Sequence, residues 1–286
     1  MIEERPPQES RSELIETILK SIMTAEEYGR IWHEIPYKFV LRAGGKELHY
    51  FGSDHIKDQS SPIFSEIEES FLRANPEIVF VEGIAGATAE FEERIKKMSR
   101  NEVIEKFGEP SFTLKLAAEN GIDWWCPEPE WETFFEELLG HGFTKDEIFV
   151  WYVLRSLNQY NAKVHREGYE KYASGYIERI KRYTNWPDFN YTFEHAMCLG
   201  EKIIGKKIDV ENMEFNYVSP VPRAGREKHE TVLNRVATAS TLIRDRKIVS
   251  DIIKVFEKYN KVFIVYGASH AVMQEPALRK FFESIS

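Results

Sequence analysis

Apolar and polar residues follow two different periods along this chain, and each period predicts its own elements. The helical period appears near the amino end, at Leu14, Ile15, Ile18, Leu19 and Ile22. Strand-like apolar runs cover 38–42, 47–51, 77–81, 122–126 and 262–266, and we expect the run at 122–126 to be a buried strand. A glycine pair between the first two runs favours a hairpin, because glycine supplies the positive φ angles of a tight turn. A helix predicted from Ser61, with Ile63, Phe64, Ile67, Phe71 and Leu72 on one face, leads to the run at 77–81 as a crossover between parallel strands.

The stretch from about 130 to 258 has almost only the helical period. Thr144 and Glu147 form a capping box, and the aromatic residues that follow are Trp151, Tyr152, Tyr160, Tyr169, Tyr172, Tyr176 and Tyr183. We interpret this stretch as a helical insert that forms a cap and packs on the core, with an apolar ligand groove as the alternative. The irregular part at 205–228, centred on Ser219–Arg226, is interpreted as a loop beside the site.

These patterns predict an α/β fold with a central mixed, mostly parallel sheet flanked by helices. With 286 residues, of which 42% are hydrophobic, the chain can bury a substantial core. We expect a single domain over 1–286, with its sheet core at about 38–128 and 260–286 and the helical insert at about 130–258.

Two of the predicted strands end in the same short pattern. Gly52-Ser53-Asp54-His55 follows one strand, and Gly267-Ala268-Ser269-His270 follows the last one. A third strand ends at Glu82. Because strands of an α/β sheet deliver their carboxyl ends to the crevice where ligands bind, we expect His55, Glu82 and His270 to converge there.

Two imidazoles and a carboxylate in one place form either a metal site or a general acid–base site. The competing interpretation is that each histidine only forms a hydrogen bond to the backbone in a turn. The Gly-x-x-His pattern occurs twice after a strand, and this repetition favours function. Glu82 is hard to explain structurally, because a glutamate is seldom buried without a partner. Glu128, after the run at 122–126, is a further catalytic candidate, although it could equally face solvent. Asp54 could orient His55 or cap a turn.

The paired Gly-x-x-His motifs, Glu82 and the segment Arg244–Val249 resemble a superfamily. It contains the Tiki Wnt proteases, the TraB/PrgY pheromone-shutdown proteins, the ChaN-type haem-binding proteins and the erythromycin esterases. The resemblance covers roughly 38–90, 113–130 and 240–284. It implies that Arg244, with Arg246 as second choice, binds a substrate carboxylate or stabilises an oxyanion.

A hydrolase of a peptide or ester bond, TraB-like and metalloprotease-like or esterase-like, is the function that this resemblance implies. In the metal form, His55, Glu82 and His270 bind manganese, cobalt, iron or zinc and activate a water. In the metal-free form, a histidine held by Glu82 or Glu128 takes the proton from water directly. The alternative is a haem- or small-ligand-binding protein without turnover.

Charge and targeting signals narrow the partners and the compartment. The net charge of −9 argues against a nucleic-acid surface and leaves a small molecule or peptide as the expected substrate. Neither a secretion signal nor an apolar run of about 18 residues is visible, so we expect no membrane contact and a cytoplasmic protein. Cys126 and Cys198 have no metal-ligand spacing and are expected to be reduced packing residues.

Overall fold

The structure is a computed structural model that describes residues 11–83, 89–161, 168–213, 215–220 and 230–286. The described residues form two compact units. The sheet unit comprises the residues up to Thr24, then Ile31–Glu128 and Asp245–Ser286. The helical unit comprises Ala25–Arg30 and Pro129–Arg244.

The sheet unit alternates strands with helices, as the periods predict. Its strands are β1 (Tyr37–Ala43), β2 (Lys46–Ser53), β3 (Ile78–Val81), β4 (Asp123–Trp125) and β5 (Lys261–Gly267). Its helices are α1 (Arg11–Leu19), α3 (Ile63–Ala74), α4 (Ala89–Lys97), α5 (Arg100–Phe107), α6 (Glu109–Glu119) and α13 (Ala268–Ser284). The helical unit has α2 (Ala25–Tyr28), α7 (Trp131–Gly140), α8 (Lys145–Leu154), α9 (Leu157–Asn161), α10 (Tyr169–Thr184), α11 (Phe193–Ile204) and the 3-10 turn Phe215–Tyr217. The long helix α12 (Val232–Val255) contributes to both units.

The five strands form one mixed sheet in the order β1-β2-β5-β3-β4. Only β1 and β2 are antiparallel, and the two-residue turn between them contains Gly44 and Gly45 at φ +55° and +77°. The pairs β2–β5, β5–β3 and β3–β4 are parallel. The predicted α/β fold with a mostly parallel sheet is therefore confirmed, and so is the hairpin.

Both faces of the sheet are covered by apolar side chains, because the side chains of a strand alternate between the faces. On one face, Tyr50, Phe80 and Ile264 pack with residues of α1, α13 and the second half of α12. On the opposite face, Val79 and Phe263 pack with residues of α3, α5 and α6. The inner strands β2, β5 and β3 are consequently buried on both sides, as continuous apolar runs in a parallel sheet require.

The aromatic residues of the helical unit form its own core. Trp131 stacks on Phe135 with ring centroids 6.0 Å apart, and the Tyr152 ring lies edge-on to Phe135 at 5.2 Å. The capping box predicted at the start of α8 is present, since the Thr144 side chain accepts from the Glu147 backbone N–H. These rings pack on one another within the unit.

Three local predictions are wrong. The run at 122–126 is an edge strand of three residues, and Trp125 on it is exposed, because β4 pairs only with β3. Leu72 is 62% exposed, since it lies one residue past the buried stripe of α3. Cys198 is exposed, whereas Cys126 is buried as expected.

The bounds of the helical insert differ from the expected 130–258. The helical unit ends at Arg244, because the second half of α12 packs against the sheet through Ile248, Val249 and Ile252. Of the expected loop Ser219–Arg226, the part from Val221 onward lies outside the described residues. In the described part of the chain, no helix combines the length and the apolar composition needed to cross a membrane.

Gly52 is required for the approach of α13 to β2. A Cβ atom at this position would lie 2.9 Å from the Ala268 Cα and 3.0 Å from the Tyr37 backbone oxygen. Because backbone atoms cannot yield cheaply, we expect Gly52→Ala to lower the free energy of unfolding by about 1–3 kcal/mol, measured in urea. The control is Gly175→Ala on α10, where a Cβ meets nothing within 4 Å and we expect a gain of about 0.5–1 kcal/mol. Equal stabilities of the two variants would contradict this account.

Candidate active site

Three strands deliver their carboxyl ends side by side at one edge of the sheet. The register places Ser53 of β2 opposite Gly267 of β5, and Val81 of β3 opposite Val265 of β5. His55 follows β2, Glu82 follows β3, and His270 is the third residue of α13, which begins directly after β5. The strand order therefore brings the three residues to one edge from distant parts of the chain.

Glu82 lies between the two histidines. The Nε2 atom of His55 is 3.7 Å from one carboxylate oxygen of Glu82, and the Nε2 atom of His270 is 3.6 Å from the other. The Glu82 side chain is 10% exposed, whereas the His55 side chain is 60% exposed. The predicted convergence of His55, Glu82 and His270 is thus confirmed as geometry, with one open side at His55.

The start of α13 fixes the carboxylate. The backbone N–H of Gly267 donates to Glu82 Oε2 at 2.6 Å. This N–H lies at the amino end of a 17-residue helix, where the aligned peptide dipoles favour a negative charge. A Cβ atom on Gly267 would lie 3.0 Å from His55 Nε2 and 3.3 Å from Glu82 Oε2. Glycine is therefore needed for close approach, at a φ of −57° that any residue adopts.

His270 is held from behind by a buried carboxylate. Asp245 of α12 is completely buried, and its Oδ1 lies 2.6 Å from His270 Nδ1. Gln274 donates to the same oxygen at 2.6 Å, and the Tyr50 hydroxyl donates to Gln274. Because a carboxylate only accepts, Nδ1 of His270 carries the proton of this hydrogen bond. The other nitrogen, Nε2, is thereby directed at Glu82.

A further buried carboxyl group contacts the backbone next to His55. Glu109, the first residue of α6, is completely buried, and its Oε1 accepts from the Ile56 backbone N–H at 2.7 Å. Burial raises the pKa of Glu109, while the backbone hydrogen bond from Ile56 and the nearby His55 and Ser53 act in the opposite direction. Its other oxygen has no hydrogen-bond partner within the part of the protein that the structure describes.

Tyr266 lies on the packed face of the sheet, as its place in β5 suggests. It is completely buried, and its ring meets the His270 ring edge-on with centroids 6.1 Å apart. Burial raises the pKa of Tyr266 well above its usual range, and the negative charge of Glu128 is the next cause. The structure thus places Glu128 within electrostatic range of this hydroxyl.

The arginines are placed differently from the histidines. Arg244 is half-buried and is the last residue of the helical unit, so its predicted contact with substrate stays a prediction. Arg246 pairs with Glu16 of α1 at 2.8 Å. Asp54 is exposed. On this segment it is the acidic residue Asp245, next to the predicted Arg244, that reaches the site.

The residues present fit a divalent ion in their chemistry. Two imidazole nitrogens and a carboxylate oxygen are common ligands, and a carboxylate on the second nitrogen of a histidine is the usual support of a metal-bound imidazole. The Nε2 atoms of His55 and His270 lie 3.7 and 3.6 Å from the oxygens of Glu82. These distances are near the roughly 3–3.5 Å expected between two atoms that each bind the same ion at about 2 Å. Within the described ranges, however, no three His, Cys, Asp or Glu side chains are gathered tightly enough to form a ligand cluster.

A hollow of about 530 Å³ in the sheet unit is separate from these groups. It is lined by Asp123 at the start of β4 and by Lys258 and Tyr259 before β5. These residues lie at the amino ends of the parallel strands, whereas the histidines lie at the carboxyl ends. This hollow is therefore not part of the candidate active site.

Comparison of the chain with protein-family models, with curated protein sequences and with solved structures finds no match. The resemblance to the Tiki and TraB superfamily accordingly stays a prediction that rests on the motifs themselves.

Sequence reasoning missed Asp245, Gln274 and Glu109, although two of them carry a signal. Asp245 precedes Ile248, Val249 and Ile252 at helical spacing, which places it on the buried stripe of α12. Glu109 precedes Phe112 and Leu116 in the same way. A carboxylate on an apolar helical stripe requires a buried partner, and this is the observation that could have found both.

Gly267→Ala tests the close packing at the site. We expect the new methyl group to displace the His55 ring, because that ring is the exposed end of a movable side chain. The His55 resonances in a ¹⁵N-histidine spectrum should therefore shift, while the free energy of unfolding falls by less than in Gly52→Ala. Gly140→Ala, where a Cβ meets nothing within 4 Å, is the control. An unmoved His55 signal would show that the site has room for a side chain here.

Proposed function

We propose that this chain is a hydrolase that activates a water molecule between His55, Glu82 and His270 for attack on a peptide or ester carbonyl. One observation carries the proposal. Two imidazole Nε2 atoms face the two oxygens of a single carboxylate, each beyond hydrogen-bond distance, and a buried aspartate orients one of the imidazoles. Glu82, Asp245 and His270 are buried together, and burying two carboxylates with an imidazole lowers stability unless function uses them.

The spacing suggests what lies between the groups. Because the proton of His270 is on Nδ1, its Nε2 atom has a lone pair that faces a carboxylate oxygen of Glu82. Both atoms are hydrogen-bond acceptors. Two acceptors attract each other only if a hydrogen donor or a cation lies between them. A water molecule there would donate to both. As the water attacks, its proton would pass to His270 Nε2, while Glu82 would accept the hydrogen bond that orients the water. Asp245 would stabilise the imidazolium that forms on His270.

His55 has a different environment and a different role. Its side chain is on the solvent side of Glu82, where a substrate enters, and its Nε2 can donate to the developing oxyanion or to the leaving group. Arg244 is proposed as a further substrate-binding group on the strength of the motif resemblance alone. Glu128 is proposed as a carboxylate that could hold a histidine in the metal-free form, because it follows the strand run at 122–126. A cytoplasmic location belongs to the same proposal.

The second version of the proposal contains a divalent ion, and the same three side chains are then its ligands instead of the acid and the base. His55, Glu82 and His270 would hold it, and when bound it would supply a water of lowered pKa. Manganese, cobalt, iron and zinc all suit two nitrogens and one oxygen. The protein's own contribution is to orient the ligands, through Asp245 on His270 and the Gly267 N–H on Glu82.

Histidine variants test the catalytic assignment. Purified parent protein is screened with p-nitrophenyl esters and fluorogenic peptides, with and without added manganese, cobalt or zinc. We expect His55→Ala and His270→Ala to lower kcat/KM at least about 100-fold, because general acid–base groups contribute about that much or more. The exposed His141 supplies the control His141→Ala, and circular dichroism checks folding. Parent-like turnover in both histidine variants would refute the assignment.

Elemental analysis tests the ion. We expect about one divalent ion per chain in the parent protein, and much less in Glu82→Gln, which removes the anionic ligand while it keeps the shape. Asp245→Asn should weaken binding by about 10–100-fold, as loss of a carboxylate behind a ligating histidine usually does. Full activity after exhaustive chelation, in protein free of metal, would eliminate the ion and leave the direct acid–base form.

A further inference from the structure

The turn that presents His55 has an unfavourable backbone conformation. His55 has a φ of +57°, which a residue with a side chain seldom adopts without support from its surroundings. Asp54 before it and Lys57 after it are exposed. The turn must therefore be held by contacts with another part of the protein.

The junction between α5 and α6 makes these contacts. The Ile56 N–H donates to Glu109 Oε1 at 2.7 Å, and the Lys57 Nζ donates to the Lys106 backbone oxygen at 3.0 Å. Gly108 packs so closely that a Cβ atom there would lie 2.9 Å from the Ile56 backbone oxygen. The bond to Ile56 is made at the residue that directly follows the left-handed one.

The Glu109 side chain accepts the Ile56 hydrogen bond from a fully buried position, which lowers the stability of the protein. The residue is completely buried, and Oε2 has no hydrogen-bond partner among the described residues. A buried carboxyl group with an unsatisfied oxygen lowers stability, so the hydrogen bond that its other oxygen accepts from Ile56 must contribute something that offsets this loss. Residues that reduce stability in this way are concentrated where function needs them.

We infer that Glu109 is a positioning residue that fixes the His55 turn through the Ile56 N–H and so aims the imidazole at Glu82. Its catalytic consequence rests on the proposed hydrolase function, whereas its effect on His55 does not. Glu109 lies beneath the turn and acts on the reaction only through His55.

The test uses three variants of the full chain and a control. Glu109→Gln keeps an acceptor oxygen of the same reach, and Glu109→Ala removes it. Gly108→Ala pushes on the same turn through Ile56, and therefore serves if Glu109→Ala does not fold. Glu105→Ala, at an exposed position on α5, is the matched control. Folding is checked for each variant by its melting temperature.

The first readout is independent of activity. In ¹⁵N-histidine spectra, with His55 and His270 assigned from their alanine variants, Glu109→Ala and Gly108→Ala should shift the His55 signals and leave those of His270 in place. Glu109→Gln should shift the His55 signals much less than Glu109→Ala does, because only the nearby charge and not the acceptor is altered, and Glu105→Ala should leave both sets of signals unchanged. Unshifted His55 signals in folded Glu109→Ala would overturn the inference, as would equal shifts in Glu109→Gln.

The second readout is kinetic. Glu109→Ala should lower kcat by about 10–100-fold with KM within about two-fold, since a displacement near 1 Å costs that much. In a His55→Ala background, Glu109→Ala should have no further effect, because a residue that acts through His55 has nothing left to position. A full additional loss in that background would overturn the inference. If no substrate is turned over but the His55 signals move, the hydrolase proposal fails and the positioning role stands.

Discussion

The hydrogen bond from the Gly267 N–H to Glu82 joins the end of one strand to the start of the helix that follows another. It places a carboxylate at the amino end of α13, where the helix dipole favours its charge, and it holds that carboxylate between the two imidazoles. Both histidines of the site are arranged around this carboxylate. Asp245 orients His270 towards it, and the absence of a side chain on Gly267 lets His55 approach it.

The buried carboxylates of the site lower the stability of the folded protein, and the apolar core offsets this loss. Asp245 and Glu109 are both completely buried, and each leaves one oxygen without a hydrogen-bond partner among the described residues. Each such oxygen costs about 1–3 kcal/mol. Apolar packing on both faces of the sheet supplies the stability that tolerates this loss. The apolar packing of the strands thus provides the stability that the polar groups at their ends require.

Much of the fold was predictable, because its signals are local. Continuous apolar runs predicted the buried strands, and the pair Gly44-Gly45 predicted the hairpin. The edge position of β4 was not predictable, since a short run such as 122–126 looks the same at the edge and in the middle of a sheet. The division within α12 was equally hidden, because its apolar stripe continues from one unit into the other.

The site was predictable only to the extent that its residues follow strands. His55, Glu82 and His270 were found because parallel strands end at the same edge. Asp245 reaches His270 from a helix instead, and no rule of strand ends predicts such a partner. Only the place of Asp245 on the apolar stripe of α12 distinguishes it from a solvent-exposed acidic residue.

The order of the strands has a consequence for how the protein is made. β5 lies in the middle of the sheet, yet it is the last of the five strands in the chain. During synthesis, β2 and β3 must therefore each wait with one unpaired edge until Lys261–Gly267 has left the ribosome. Contacts between such distant segments form slowly, and open strand edges invite association with other chains. A nascent chain of this protein is expected to depend on chaperones until its final strand arrives.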